Sequence, residues 1–284
     1  MPETKPTVRQ RRLGLELKKL RRDRGWTLEE AAARLEYSVS SLSKIENGRQ
    51  RISARVLPFV FQVFEVVDEG RQAEIKQLVR DMTKRDWWQE FKGVISDPFA
   101  DYLSLESTAS ELSIFNPLVI PGLLQTDRYA EAVAQGSRAW RTQEEVQQFV
   151  RVRLARQEVL TREPPLRLWV VLTEAVLHQE VGDAEARREQ LVRLSELTGE
   201  LPHVNMQILP YSAGAHAGMD GPFSLLSFPT GGDVVCLESM RASLYLEQDE
   251  EVGPYAAALD HLKSSALSTQ QSRIFVDDMI KELS

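Results

Sequence analysis

The sequence predicts a two-domain chain, a small all-α domain over residues 1–70 followed by a larger α/β (α+β) domain over residues 71–284. Three observations predict it. At 284 residues the chain exceeds the usual single-domain size, and 42% apolar content is enough for two cores. Charge divides along the chain: 14 basic and 7 acidic residues precede Leu57, against 21 basic and 35 acidic in the rest, so a balance of +7 is followed by one of −14. Apolar spacing is helical in the first part and alternates between helical and strand-like in the second.

Composition also narrows the function classes. No apolar run reaches the roughly 18 to 20 residues of a membrane span, and residues 1–10 are polar without the core of a signal peptide, so a cytoplasmic, nucleoid-associated protein is expected. Cys236 is the only cysteine, which excludes an internal disulfide and a thiolate cluster for zinc. The four histidines, His178, His203, His216 and His261, lack metal-ligand spacing, so no metal and no cofactor is expected. With no phosphate-binding loop or G-x-S-x-G turn, the expectation is that the chain is not an enzyme.

The first domain reads as consecutive short helices. Leu13, Leu17 and Leu20 recur at i, i+4 and i+7, and Gly25 stands where a left-handed cap ends that helix. Trp26 reads as a core plug. Thr27 and Glu30 form a capping box that starts a second helix, with Leu28, Ala31, Ala32 and Leu35 on its buried face. Ser38 caps a third helix, in which Leu42 and Ile45 point inward while Val39, Ser40, Ser41, Ser43 and Lys44 point outward. Short hydroxyls, a lysine and a valine methyl suit base edges in a major groove, so the third helix reads as a recognition helix. Asn47 and Gly48 end it, and Arg49 and Arg51 follow where a loop meets phosphates. Glu46 would repel phosphate, and a structural ion pair with Arg21 is expected instead.

The stretch LGLELKKLRRDRGWTLEEAAARLEYSVSSLSKIENGRQRIS, residues 13–53, resembles the XRE family of helix-turn-helix repressors, related to phage lambda-type repressors and Cro. The resemblance implies a lambda-repressor-like fold, double-stranded DNA with a pseudo-palindromic operator as partner, and a homodimer. It implies base contacts from Val39, Ser40, Ser41 and Lys44, and backbone contacts from Thr27, Ser38, Ser43, Asn47, Arg49 and Arg51. Two departures stand out. Glu36 takes a turn position where the family commonly has glycine, and Pro58 falls in the next helix, so the turn and the fourth helix are expected to be distorted.

Residues 57–67, LPFVFQVFEVV, are too apolar for a solvent-facing helix and are expected to close the small core, with a dimer contact as the alternative. A connecting helix is expected over 71–91, anchored by Trp87 and Trp88. Strands are expected at 112–115, 166–173, 204–209, 223–228 and 234–238, and helices at 127–135, 143–160, 184–197, 251–267 and 269–283.

The segments NPLVIPGLLQTDRYAEA, YLSLE, RLARQEVL, LTEAVL, HVNMQILPY and GAHAGMDGPF resemble the C-terminal domain that follows the XRE helix-turn-helix in many actinomycete (Streptomyces-type) regulators. That resemblance implies an antitoxin-like regulatory domain and a small neighbour-encoded protein as partner. Two roles are open for it: a domain that receives a small protein or ligand, or the antitoxin of a toxin–antitoxin pair. Gly214, His216 and Gly218 form the most site-like loop of this domain, a ligand or partner loop against the alternative of a plain turn between strands.

Overall fold

The computed structural model describes residues 6–81, 87–91, 93, 95–137, 142–229, 232–239 and 242–283. The chain divides into two compact units, one reaching to Trp87 and including Phe228–Gly232, the other formed by Trp88–Ser227 with Asp233–Ser284.

The first unit is helical. Helices α1 (Val8–Asp23), α2 (Leu28–Arg34), α3 (Val39–Glu46), α4 (Leu57–Val63) and α5 (Glu69–Asp81) follow one another, with a short 3-10 turn at Ala54–Val56. Caps set the starts: the hydroxyls of Thr7, Thr27 and Ser38 accept from the backbone N–H three residues on, and Gln10 and Glu30 close capping boxes. The apolar stripes then meet. Leu13, Leu17 and Leu20 of α1, Ala31 and Ala32 of α2, Leu42 and Ile45 of α3, Leu57, Val60 and Phe61 of α4, and Ile75, Leu78 and Val79 of α5 form one buried cluster. Burying each leucine is worth about 2 kcal/mol, which short helices of this length need in order to persist.

Two left-handed residues punctuate the unit. Glu36 has φ +58° and lets α2 end with the Tyr37 N–H on the Ala32 carbonyl, 2.9 Å away, so the turn keeps its course without glycine. A non-glycine residue there is strained. Glu36→Gly is therefore expected to raise stability by about 1 kcal/mol, read as a higher urea midpoint. Glu65, at φ +48°, ends α4 in the same way, and the Arg24 guanidinium bonds the Phe64 carbonyl at 2.7 and 3.0 Å.

The expected distortion at Pro58 does not occur, because Pro58 lies in the first turn of α4, where a missing N–H costs no helical hydrogen bond. The expected connecting helix over 71–91 is also corrected. Helix α5 spans Glu69–Asp81 and packs in the first unit's core, while Trp87–Phe91 is a separate 3-10 turn; residues 82–86 lie outside the described residues.

The second unit is built on a six-stranded mixed sheet of order β3-β2-β1-β4-β5-β6. Its strands are β1 (Glu111–Asn116), β2 (Arg167–Thr173), β3 (Val204–Leu209), β4 (Phe223–Ser227), β5 (Val234–Glu238) and β6 (Ser243–Leu246). β1, β2 and β3 pair in parallel, with Ile114 opposite Val170 and Val170 opposite Met206. From β1 onward the pairing is antiparallel. β1 is thus the strand where the sheet changes sense.

Helices α6 (Asp97–Glu106), α7 (Asp127–Gly136), α8 (Gln143–Ala155), α9 (Glu174–His178), α10 (Ala184–Glu200), α11 (Asp249–Ser265) and α12 (Thr269–Glu282) complete the unit, with α9 to α12 packed on the strands and α7 on α8 and α10. Strand residues alternate between its faces. Phe115, Val171, Leu209, Phe223, Leu225 and Val235 share one face with Val252, Leu259 and Leu262 of α11. Against the expected elements, the structure adds α6, α9 and β6, and ends α8 at Ala155 with a 3-10 turn over Arg156–Leu160.

Candidate nucleic-acid interface

Leu42, Ile45 and Glu46 of α3 are buried, the first two at 2% exposure, and the remaining side chains of the helix are turned outward or half-buried. Val39, Ser40 and Lys44 are exposed, and Ser41 and Ser43 are half-buried. Not every polar side chain near the helix is equally available. The Ser38 hydroxyl accepts from the Ser41 N–H at 3.0 Å and donates to the Ser41 hydroxyl at 2.8 Å, so it is engaged in starting the helix. Thr27 is engaged in the same way with Glu30, at 3.2 Å. Asn47 Nδ2 donates back to the Ser43 carbonyl at 2.8 Å. Arg49 and Arg51 are exposed, just beyond the turn in which the Arg49 N–H donates to the Lys44 carbonyl at 2.7 Å.

What fixes α3 is its contact with α1. A Cβ on Gly14 would lie 2.4 Å from the Glu46 carbonyl oxygen and 2.7 Å from that of Ile45, so α1 meets the end of α3 backbone to backbone. Gly48, at φ +69°, makes a second close approach, since a Cβ there would lie 2.8 Å from the Arg11 nitrogen. Arg21 completes the junction. Its Nε and Nη2 donate to the two carboxylate oxygens of Glu46 at 2.7 and 2.9 Å, and its Nη1 donates to the Trp26 carbonyl at 2.9 Å. The Glu46 bond raises Arg21 above the ordinary arginine range. A buried acid is thereby neutralised within the fold, 6% exposed and turned away from the outward face of α3.

Gly14 was not among the expected site residues. Its only sequence signal is a glycine inside a helix, a position that costs about 1 kcal/mol relative to alanine and so points to a packing requirement.

In the second unit, the Gly214–Gly218 loop closes on the protein itself. A Cβ on Gly218 would fall 2.1 Å from the Phe115 ring, so the close approach that this glycine permits is made to Phe115. His216 stands edge-on to the same ring at 5.6 Å, and its Nδ1 accepts from the Gly218 N–H at 3.1 Å. Gly214 supplies the turn, at φ +64°. His203 Nε2 lies 2.8 Å from the Leu160 carbonyl, and His178 stacks on Tyr211. Among the described residues no group of three or more His, Cys, Asp or Glu is placed to hold a metal ion, and no helix is long and apolar enough to cross a membrane.

A rigid three-helix platform presenting one polar helix face, in a unit of positive balance, defines a helix-turn-helix DNA-binding protein. The comparisons with known proteins agree: the model described as "Helix-turn-helix domain" matches residues 12–73. The model described as "Domain of unknown function (DUF5753)" matches residues 99–278, and the chain belongs to that family. No curated protein and no solved structure matches the chain. The chain is a DNA-binding regulator with an N-terminal helix-turn-helix domain, followed by a larger α/β domain.

Proposed function

We propose that this protein is a sequence-specific transcriptional regulator, in which two copies place their α3 helices in successive major grooves of a pseudo-palindromic operator, and in which the second domain receives a chemical signal. The observation that carries the reading is the division of α3: Leu42 and Ile45 sealed in the core, Val39, Ser40 and Lys44 exposed along one face, and Glu46 bound to Arg21. Lys44 donates to guanine acceptors, Ser40 and Ser41 bond base edges, and the Val39 methyls meet a thymine methyl. Arg49 and Arg51 grip phosphates, as do backbone groups near the starts of α2 and α3. The reading is of a binding protein and not of an enzyme.

The test begins by selecting the preferred duplex from a random pool. Lys44→Ala is then expected to weaken the selected site by about 1 to 3 kcal/mol and to weaken random duplex far less. Arg49→Ala is expected to weaken both about equally, lowering the slope of log K against log salt by about 1. Equal losses on selected and random DNA for Lys44→Ala would remove α3 as the reader of sequence.

A further inference from the structure

One cavity of about 180 Å³ lies wholly within the second unit. It opens on the sheet face opposite α11, with Ile114 and Asn116 of β1, Ser224 of β4, and Cys236 and Glu238 of β5 in its wall. Phe99 and Tyr102 of α6, Arg153 of α8, and the loop after β1 enclose it. It therefore sits at the carboxyl end of the strand where pairing changes from parallel to antiparallel. Open α/β sheets place their ligands at such points.

The loop is held by the side-chain amides of Asn116, Gln125 and Gln157, of which Gln125 is buried, and this makes the cavity preformed. Asn116 Oδ1 accepts from the N–H groups of Leu118 and Val119 at 2.9 and 3.2 Å, Gln125 Nε2 donates to the Ile120 carbonyl at 2.6 Å, and Gln157 Nε2 donates to the Gly122 and Gln125 carbonyls at 3.0 and 2.8 Å. Segments far apart in the sequence, 99–102, 114–125, 153–156, 222–224 and 236–238, thus meet around one space.

Its charges are unevenly matched. Arg156 is satisfied: its Nε donates to Glu106 Oε1 at 2.9 Å, and its Nη2 to Oε2. Arg153 is not. Its Nη1 donates to the neutral Gln125 Oε1 at 2.7 Å, the guanidinium lies 4.4 Å from the Phe149 ring, and its Nε is shut off from solvent without a hydrogen-bond partner among the described residues. No carboxylate pairs with it there; Glu238, also in the wall, is exposed at the rim. Gly122 leaves room for this side chain, since its Cβ position is only 3.3 Å from the Arg153 Nε. Burial and the neighbouring Arg156 push the Arg153 guanidinium down to about 9, against the opposing pull of Glu238 and Glu106, so an anion placed on it would favour its charged form.

We infer that this cavity binds a small organic monocarboxylate, its carboxylate on Arg153 and its apolar body among Phe99, Ile114, Val119 and Ile120. The volume suits such a ligand, being close to that of the ~150 Å³ cavity that takes benzene. The inference deepens the reading that the second domain receives a signal, and rests on it only for the consequence at DNA.

The experiment uses the full chain and three probes, benzoate, its neutral isostere benzamide, and inorganic phosphate, titrated by calorimetry at pH 7. Benzoate is expected to bind with 1:1 stoichiometry at least tenfold more tightly than benzamide. Arg153→Met should lose at least tenfold in benzoate affinity while leaving benzamide unchanged, and Arg153→Lys should recover part of the loss. A measurement on the unsubstituted protein guards against a misfolded variant: with ¹⁵N-labelled arginine, the side-chain Nε–H signal missing from Arg153→Lys should move as benzoate is added. Equal binding of benzoate and benzamide, no saturable binding of benzoate, or binding of phosphate alone overturns the inference. Operator affinity is then measured with and without benzoate. If benzoate binds and operator affinity is unchanged, the site stands and the signal-receiving role of the domain falls.

Discussion

Glu106→Ala is expected to cost about 4 kcal/mol of stability. The Glu106 side chain is 1% exposed and that of Arg156 8%, and the two are joined by a bidentate pair linking α6 to the 3-10 turn after α8. Burial raises Glu106 above the ordinary carboxylate range, although the charge and hydrogen bonds of Arg156 pull the other way. Truncating the acid leaves a guanidinium buried without its counter-charge. That residual charge, more than the lost contact, accounts for the size of the effect. Urea unfolding followed by circular dichroism measures it. The double variant Glu106→Leu, Arg156→Met should be less damaged than Glu106→Ala, because it removes both charges and fills the space with apolar atoms. A loss under about 1 kcal/mol for Glu106→Ala would show that the pair does not hold α6 in place.

Gly14→Ala is expected to cost about 3 kcal/mol and to abolish specific DNA binding. Alanine ordinarily favours a helix over glycine, so helix propensity alone predicts a gain of about 1 kcal/mol. The geometry reverses the sign. The added methyl would sit 2.4 Å from the Glu46 carbonyl oxygen, which belongs to backbone and cannot rotate away. α3 must shift off α1, and with it the Lys44 and Ser40 side chains that the DNA reading depends on. Thermal unfolding and the selected-duplex affinity give the two readouts, and a variant as stable as the parent protein would disprove the backbone contact.

These two sites also show what could be read from sequence. The exposed and buried residues of α3 were legible, because a 3.6-residue period separates Leu42 and Ile45 from Ser40 and Lys44 within two turns of helix. The strand cores at 112–115, 166–173, 204–209 and 234–238 were legible as apolar runs. β6 was not: its four residues lie at the sheet edge, where only one neighbour imposes a pattern, and Leu244 is 56% exposed. Pro58 was read as an interruption because its place in the helix depends on where α4 begins, and the 3-10 turn at Ala54–Val56 sets that start. The partnership of Glu106 and Arg156, fifty positions apart, and the hydrogen bond of Arg153 to the neutral Gln125 are properties of the folded domain. A linear reading sees only three charged residues among many.

The strand order also bears on how the molecule is made. β1 is completed by β2 on one side and by β4 on the other, so Ile114 must wait for Val170 and for Ser224 to emerge from the ribosome. The nascent chain therefore carries an unfinished sheet through more than a hundred residues of synthesis, with Leu112 and Phe115 waiting for cover. The helices of the first unit face no such delay, because their shared core is supplied by Val79 and the residues before it. Truncated translation products ending inside the sheet should therefore be the aggregation-prone species in a cell, and chaperone dependence should be concentrated there.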